Sequence, residues 1–203
     1  MRLFIGSTNA KKIEAWKDYL PDWSVLSYEE LGLGRLQIEE GLVSLRENAL
    51  GKARAWAAAS GELTLSDDTG FFVQALGGRP GVSVKRWGGQ FPAELDSVEF
   101  LRHLGRELEG IEDTVCHFET VYALALPSGE VRTFADRLDG FIDKALIPVV
   151  IERGGGPLGC VFRQHAGART WREMSGEERR QAELASVRQL ERLARELLDI
   201  KKE

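Results

Sequence analysis

The segment from Ser44 to Ser66 constrains the fold most strongly, because a well-delimited helix is followed at once by a short apolar run. Ser44 and Glu47 have the spacing of a capping box, which predicts a helix start at this point. The helix is predicted to continue through Ala59, with Gly61 just past its end. Its apolar residues share one face: Leu45, Ala49, Ala53 and Trp56. Leu63–Ser66 then has the composition of a short buried strand, and this alternation is typical of α/β proteins.

The rest of the chain adds further helices and a hairpin. Helices are predicted over Ala10–Leu20, from near Asp96 to about Leu108, and over Ser175–Ile200. The strands His117–Leu126 and Glu130–Asp136 are predicted to pair across Pro127-Ser128-Gly129. Because strands and helices alternate first and a hairpin interrupts later, we expect an α/β fold with a mixed sheet.

Composition narrows the class of protein. A length of 203 residues suits one domain, or one domain of two lobes. A formal charge of −5 argues against a general nucleic-acid-binding protein, although it allows a locally basic pocket for a small anion. Cys116 and Cys160 form no Cys-x-x-Cys motif, and we interpret them as buried thiols in a reducing compartment rather than as a disulfide.

Apolar runs set the expected location of the protein. Leu3–Ile5 is too short for the core of a signal peptide, and Ala145–Ile151 is too short for a membrane span. We therefore expect a cytoplasmic protein that has neither a membrane nor a nucleic acid as its partner.

The turn between the first strand and the first helix places small polar residues directly ahead of lysines. Ser7, Thr8 and Asn9 precede Lys11 and Lys12. The first turn of a helix normally favours negative side chains, because the helix dipole is positive there. Lysines in this turn suggest that a ligand supplies the negative charge, with backbone N–H groups and the Asn9 amide as donors. The alternative is a capped helix with solvated lysines, and the stretch is not a P-loop because that pattern is missing.

Two acidic stretches are candidates for holding a cation. Glu39-Glu40 precedes the helix that carries Lys52, and Asp67-Asp68 follows the short strand. Successive side chains of a strand point to opposite faces, so one aspartate can address a given cleft and the other is expected to hold a turn. The carboxyl end of a strand in an α/β sheet is a frequent place for a ligand. A polar loop, a solvated lysine and a turn-building aspartate pair are the alternatives.

A glycine-rich stretch completes the set. Gly77–Gly81 is followed by Lys85 and Arg86, an arrangement that suits close contact with phosphate oxygens or a plain surface loop. The histidines show no metal-ligand spacing and are interpreted as structural or solvated: His103, His117 and His165. Together the stretches fit hard oxygen ligands for Mg²⁺ beside several donors for a polyphosphate.

Four of these motifs, in their order and spacing, resemble the inosine triphosphate pyrophosphatase family, which removes modified purine nucleoside triphosphates from the nucleotide pool. The motifs are Ser7–Lys12, Glu40-Gly41 ahead of Glu47–Ala53, Ser66–Gly70 and Gly77–Gly81. The match covers roughly the first 90 residues. The resemblance implies an elongated mixed β-sheet flanked by helices, with two lobes around a central cleft, within a single domain over residues 1–203. It also implies a homodimer.

The resemblance further implies roles for individual residues. Mg²⁺-dependent hydrolysis would yield the monophosphate and pyrophosphate, with Asp68 positioning or deprotonating the attacking water and Glu40 and Asp68 binding the metal. The triphosphate-binding residues would be Ser7, Thr8, Asn9, Lys12, Lys52 and Arg86. An aspartate is a weak base at neutral pH, but metal coordination lowers the pKa of bound water enough for it to accept the proton.

The second half departs from the family where that family reads the base. An aromatic and an acidic residue are missing from the corresponding stretch, Gly154–Phe162, and Glu183-Leu184-Ala185 stands where the family has Ser-His-Arg. The base-binding residues are therefore unknown, and Trp171, Phe162 or His165 as a substitute platform is less expected than core or surface roles. We predict that the phosphate chemistry is kept while the preference for inosine or xanthosine triphosphate is weakened or changed.

Two other interpretations stay open beside hydrolysis of modified purine triphosphates such as ITP and XTP. One is a nucleotide-binding or regulatory homologue with weak catalysis. The other is a pyrophosphatase of altered base specificity, acting on pyrimidine or modified nucleotides. The joint presence of Lys12, Glu40, Lys52 and Asp68 favours an enzyme, because a pure binding protein has less need of an acid that orients water.

Overall fold

The computed structural model describes residues 1–38 and 44–199. The strands are β1 (Arg2–Ile5), β2 (Ser24–Leu26), β3 (Thr64–Val73), β4 (Pro80–Gly81), β5 (Val115–Ala125), β6 (Val131–Ile142) and β7 (Phe162–Arg163). The helices are α1 (Ala10–Tyr19), α2 (Leu45–Ser60), α3 (Ser97–Glu107), α4 (Leu146–Glu152), α5 (Gly176–Ala182) and α6 (Leu184–Asp199). Short 3₁₀ turns lie at Gln74–Leu76, Val84–Arg86 and Leu158–Cys160.

The strands described form one sheet of mixed direction, which confirms the predicted α/β class. Its order is β2-β1-β3-β5-β6-β7, with β4 paired to β3 at one side. β1 runs parallel to both β2 and β3, whereas the pairs β3-β4 and β6-β7 are antiparallel. The parallel strands come from the part of the chain where helices and strands alternate, since a parallel pair needs a crossover between its members.

The chain divides into two compact units, each with its own apolar core. The first unit comprises Met1–Asp68, Thr120–Asp136 and the described residues from Gly176 onward. Its core is centred on β1, the inner faces of α1 and α2, and α6. The second unit comprises Thr69–Glu119 and Arg137–Ser175, and its core includes Phe71, Trp87 and Leu104. A single domain of two lobes stays a prediction.

The helix starts that the sequence predicts are observed with their caps. The side chain of Asn9 accepts a hydrogen bond from the Lys11 N–H at 3.1 Å, and Ser44 accepts one from the Glu47 N–H at 3.2 Å. Gly61 ends α2 in the left-handed conformation, with φ of 71°. Asp96 forms a complete capping box at the start of α3. These ends are predictable because each depends on residues within one helical turn.

The prediction of a short strand ending at Ser66 was wrong. β3 continues through Asp67-Asp68 to Val73, so the aspartate pair lies inside a strand and does not build a turn. Phe71 and Val73 are fully buried, and their side chains continue the alternation of the strand. Burial of these two residues and pairing with β4 extend the strand past its polar centre. β6 is likewise longer than predicted, reaching Ile142 instead of Asp136.

The long C-terminal helix is divided into α5 and α6 at Glu183, which corrects the prediction of one helix over Ser175–Ile200. The break is slight, because the Glu183 N–H still donates to the Arg179 carbonyl at 3.0 Å and the Val187 N–H to the Glu183 carbonyl at 3.0 Å. α6 buries one face in the first core: Val187, Leu190, Leu193, Ala194 and Leu197. No helix within residues 1–38 and 44–199 has the length and apolarity needed to cross a membrane.

Candidate active site

The turn before α1 is ordered by its own side chains. The Ser7 hydroxyl accepts a hydrogen bond from the Asn9 N–H at 3.1 Å, and Asn9 in turn caps the helix. Ser7 is half-buried, whereas Thr8 and Asn9 are exposed. The first turn of α1 contains no acidic residue. The helix dipole therefore meets small polar groups and lysines here, which is the arrangement that suits a bound anion.

Gly6 brings the end of β1 close to β3. The Gly6 N–H donates to the Leu65 carbonyl at 2.8 Å, and the Ser66 hydroxyl donates back to the Gly6 carbonyl at 2.9 Å. A Cβ atom at Gly6 would lie 2.2 Å from Ser66 Oγ and 2.9 Å from the Trp56 ring. Glycine is thus required at this position because two strands and α2 approach it closely.

Lys12 of α1 is held by the first aspartate of β3. Its ammonium group forms an ion pair with Asp67 Oδ2. The Asp67 side chain is 9% exposed and the Lys12 side chain 38% exposed, so the carboxylate lies inside while the lysine faces solvent. The expectation that one of the two aspartates would hold a turn was wrong, because Asp67 lies inside β3 and anchors Lys12.

Asp68 is held by two residues from one face of α2. Lys52 Nζ lies 2.7 Å from Asp68 Oδ1, and Asn48 Nδ2 donates to Asp68 Oδ2 at 2.9 Å. Asn48 and Lys52 are four residues apart and therefore neighbours on the helix surface. Both charged side chains are largely buried, with 15% exposure for Lys52 and 13% for Asp68. Sequence reasoning assigned no role to Asn48, although its spacing from Lys52 was a usable signal.

The structure therefore brings the predicted residues Lys12, Lys52 and Asp68 together with Asp67 in the first unit. Lys12 and Lys52 are anchored on adjacent residues of β3, whose Cα atoms are separated by about 3.8 Å. Arg86 lies in the second unit, in the 3₁₀ turn Val84–Arg86 that follows the glycine-rich stretch. Glu40, which was predicted to bind the metal, lies outside the described residues.

Arg79 has a structural role in the glycine-rich stretch. Its guanidinium group pairs with Glu107 of α3 at 2.9 Å, and its Nε–H donates to the Leu76 carbonyl at 3.3 Å. These bonds hold the loop against α3 within the second unit.

The donor chemistry around Asp68 fits a divalent cation that takes most of its ligands from substrate and water. Among the described residues, no three histidine, cysteine, aspartate or glutamate side chains converge into a metal site. Mg²⁺ is commonly bound through one or two carboxylates together with substrate phosphates, because it keeps several waters. Asp68 would supply one such carboxylate, and Glu40, the predicted second ligand, lies outside the described residues.

An acidic cluster that includes Asp67 was missed by the sequence analysis. We define it as Asp67, Tyr122, Asp136 and Glu183. Burial first, and then the carboxylates of Asp136 and Asp67, raise the pKa of Glu183 to about 7, against a hydrogen bond with the Tyr122 side chain that lowers it. Burial raises the pKa of Tyr122 well above its ordinary value, and the neighbouring carboxylates add to this effect. The members are far apart in sequence, so no local pattern indicated the cluster.

The stretch that replaces the family's base-reading segment is packed within the second unit. Phe162 is fully buried, with its ring against Phe118 at 5.0 Å between centroids. A Cβ atom at Gly155 would lie 2.5 Å from the Ser97 hydroxyl, so Gly155 allows close packing on α3. Phe162 therefore has a core role, as expected, and His165 is exposed.

Comparisons with known proteins agree with the motifs. The sequence pattern of the Ham1 family matches residues 3–189. A dITP/XTP pyrophosphatase of Thermus thermophilus is 34% identical over 183 residues, covering 88% of this chain and 84% of the relative. The solved Ham1 protein of Staphylococcus aureus is 25% identical, with a TM-score of 0.70 over 94% of this chain and 98% of that protein.

A second solved structure, a nucleoside-triphosphatase/dITP/XTP pyrophosphatase of Mycobacterium abscessus, is 28% identical with a TM-score of 0.65. It covers 95% of this chain, and the match covers 98% of that protein. The resemblance that the sequence motifs indicated is confirmed, and it extends well beyond the first 90 residues into the second half of the chain. The chain is a member of the Ham1 family.

Proposed function

We propose that this protein hydrolyses nucleoside triphosphates to the monophosphate and pyrophosphate in a Mg²⁺-dependent reaction, removing modified purine nucleotides from the cellular pool. Family membership supports a hydrolase acting on nucleoside triphosphates. The observation that carries the proposal is the pairing of Lys12 with Asp67 and of Lys52 with Asp68 on adjacent residues of one strand. Two lysines and a buried carboxylate are the groups that such a reaction needs.

The two lysines bind and neutralise the triphosphate. Their ammonium groups stabilise the negative charge that develops on the leaving pyrophosphate. Donors from the α1 start, Ser7, Thr8 and Asn9, extend this cradle. Because the lysines are already fixed by carboxylates, little side-chain freedom is lost when phosphate binds.

Asp68 orients the attacking water and accepts its proton. Asn48 and Lys52 hold its two oxygens, so the carboxylate is fixed in direction before substrate arrives. Asp68 and Glu40 would hold Mg²⁺, which when bound neutralises phosphate charge and makes a coordinated water more acidic.

Altered base specificity is a second candidate. The observation that favours it is the burial of Val161 and Phe162, at the end of the stretch Gly154–Phe162, in the second core. A site that lacks hydrogen-bond donors for a base oxygen loses much of its discrimination. A catalytically weak, nucleotide-binding homologue is less favoured, because Asp68 and both lysines are retained.

We also propose that the protein forms a homodimer and that it is located in the cytoplasm.

Pyrophosphate release with Mg²⁺ across common, deaminated and oxidised triphosphates tests the proposal. We expect turnover of several triphosphates, with pyrophosphate and not phosphate as the product. Binding of nucleotides without release of pyrophosphate would support the binding homologue instead, and phosphate as the product would contradict the proposed chemistry.

A further inference from the structure

We propose that a proton on His103 releases the segment Ser83–Phe91 from α3, so that this part of the second unit is closed in neutral solution and opens in acid. The segment follows the glycine-rich stretch, and its buried residue is Trp87. We call it the Trp87 loop. The proton comes from solvent and returns there when the pH rises. No nucleotide takes part in the change, so the inference does not depend on the proposed function.

Trp87 is held in the second core at a cost. It is 1% exposed and packs on Phe100, with ring centroids 5.3 Å apart. Its φ of 51° lies in the left-handed region, and it is the one non-glycine residue within residues 1–38 and 44–199 that has a positive φ. Its Nε1–H has no hydrogen-bond partner among the described residues. A strained backbone and an unpaired buried donor both weaken the closed loop, so a modest further cost opens it.

His103 of α3 packs directly against the Trp87 loop. The imidazole is perpendicular to the Trp87 ring, with centroids 4.4 Å apart, and it also contacts the Phe91 ring, with centroids 5.2 Å apart. The His103 side chain is 10% exposed, and its Nε2 atom is buried without a hydrogen-bond partner in the part of the chain that the structure describes. The closed loop therefore rests on an imidazole that is shielded from water.

The carboxylate beside His103 does not satisfy a charged imidazole. Glu107 Oε1 lies 3.8 Å from His103 Nε2, which is too far for a hydrogen bond. The other oxygen of Glu107 pairs with the Arg79 guanidinium group at 2.9 Å. A proton on His103 thus creates a buried positive charge whose Nε2–H has no acceptor within reach. Such a charge is costly, and the cost disappears when the loop opens and water reaches the ring.

The titratable and charged groups that face His103, among the described residues, come from α3 and the glycine-rich stretch. They are Glu107, Arg106 and Arg79. The Trp87 loop faces the imidazole with aromatic rings, and α4 meets α3 at Gly105 with an apolar side chain, Ile147. Burial lowers the pKa of His103 below its ordinary value of 6.5; Glu107 acts against this effect, and the two arginines add to it. The closed loop therefore favours the neutral imidazole.

The Trp87 loop, and not α3, is the element that moves. α3 is fixed in the second core by three fully buried leucines: Leu101, Leu104 and Leu108. The loop is instead closed on itself by its own backbone. The Trp87 N–H donates to the Val84 carbonyl at 3.1 Å, and the Gly88 N–H donates to the Ser83 carbonyl at 2.9 Å. Because these hydrogen bonds lie within the loop, it can leave α3 as one unit.

Linkage gives the direction of the pH dependence. The closed form holds His103 with a lowered pKa, whereas the open form exposes it to water, so the open form binds more protons in acid. The closed form is therefore most stable above about pH 6.5 and loses stability as the pH falls toward the lower pKa. The open population rises by at most about tenfold per pH unit for one proton. Opening also changes where two exposed cations of the loop, Lys85 and Arg86, are held.

Hydrogen–deuterium exchange with mass spectrometry, on the full chain without ligand, measures the opening. Protection factors of peptides that cover the Trp87 loop are determined between about pH 5 and pH 7.5, after correction for the intrinsic exchange rate at each pH. We expect the wild-type protection factor to fall roughly several-fold toward the acid end, while α2 in the first unit keeps its protection. His103→Gln cannot take up the proton, so its protection factor should not depend on pH.

Two further variants and one direct measurement protect the test. His165→Gln removes an exposed histidine of the same unit and should behave like the wild type. Glu107→Gln removes the charge that favours a proton on His103 in the closed form, so its loss of protection in acid should be larger than that of the wild type. The pKa of His103 in the wild-type protein, followed by NMR of its ring protons, should lie below 6.5, and this result decides the question even if His103→Gln fails to fold.

Several outcomes would overturn the inference. They are an equal pH dependence in the wild type and His103→Gln, a wild-type protection factor that does not change with pH, and a loss in Glu107→Gln no larger than that of the wild type. A parallel loss of protection in α2 would indicate general unfolding in acid and would overturn it as well. None of these results bears on the proposed function, which pyrophosphate release tests separately.

Discussion

Two adjacent carboxylates of β3 have opposite surroundings. Asp68 is bonded by an amide and an ammonium group, both from α2. Asp67 also pairs with a lysine, Lys12 of α1, but it lies beside two further carboxyl groups, Asp136 and Glu183. Asp68 is thus surrounded by hydrogen-bond donors, whereas Asp67, one position earlier, has additional negative charge near it.

This difference shows how a strand separates two tasks. Successive side chains point to opposite faces, so Asp68 and Asp67 meet different helices. Asp68 has the fixed, donor-rich setting that suits a group acting on water, whereas Asp67 sets the charge around Lys12, the proposed phosphate-binding lysine. Three measurements test this division, and a fourth tests the preference for the base.

The largest expected effect comes from Asp68→Asn. The variant keeps the size of the side chain but can no longer accept a proton from water, so kcat should fall about 100-fold or more. Pyrophosphate release measures the rate. Asp67→Asn is the matched comparison, and its kcat should fall about tenfold or less, since Asp67 acts through Lys12. Equal losses in the two variants would end the division of roles.

The next effect concerns the two lysines. Lys52→Met leaves the buried Asp68 without its ammonium partner and removes a phosphate ligand, so kcat/KM should fall about 10- to 100-fold. Lys12→Met should lower kcat/KM by a smaller factor, because the Lys12 side chain is 38% exposed and the Lys52 side chain 15% exposed. Lys17→Met is the control, because Lys17 is an exposed residue of α1 that pairs with Glu30 at 2.8 Å. A loss in the control as large as in the other two variants would indicate a general charge effect.

A third measurement follows stability against pH on the Asp67 side. Because the folded-state pKa of Glu183 is raised from 4.5 to about 7, the native state holds more protons in this window. Stability from this group is therefore lost as the pH rises from about 4.5 to 7 and is constant above. Glu183→Gln should gain on the order of 1–3 kcal/mol relative to wild type between pH 5 and pH 8.

Urea unfolding at the two pH values gives this difference. Glu196→Gln, which changes an exposed glutamate of α6 that pairs with Arg192, is the control, and it should follow the wild type. If the wild type and Glu183→Gln have parallel pH profiles, the Asp67 side does not carry the surplus charge that the comparison assigns to it.

The smallest expected effect concerns the base. The stretch that was predicted to stand in place of the family's base-reading segment belongs to the second unit, where Phe162 is buried in the core. The kcat/KM values for ITP and ATP should therefore differ by about tenfold or less. Steady-state pyrophosphate release with both substrates measures the ratio. A strong preference for ITP would mean that other residues in this chain read the purine.

Sequence reasoning succeeded where the signal was local. The caps at Asn9, Ser44 and Asp96 involve bonds within one turn, so the starts of α1, α2 and α3 were predicted. The pairing of Lys52 with Asp68 was not predicted, because it depends on the packing of α2 against β3.

The amino-acid sequence by itself determined the fold class, the family and the set of phosphate-binding and water-orienting candidates, because these depend on short motifs and on the spacing of apolar residues. Only the tertiary structure decided that Asp67 holds Lys12 and that Glu183 joins Asp136 beside it. The electrostatic surroundings of a residue depend on its burial and on its distance from other charges. Residues more than a hundred positions apart in sequence become neighbours only when the sheet and its helices pack together.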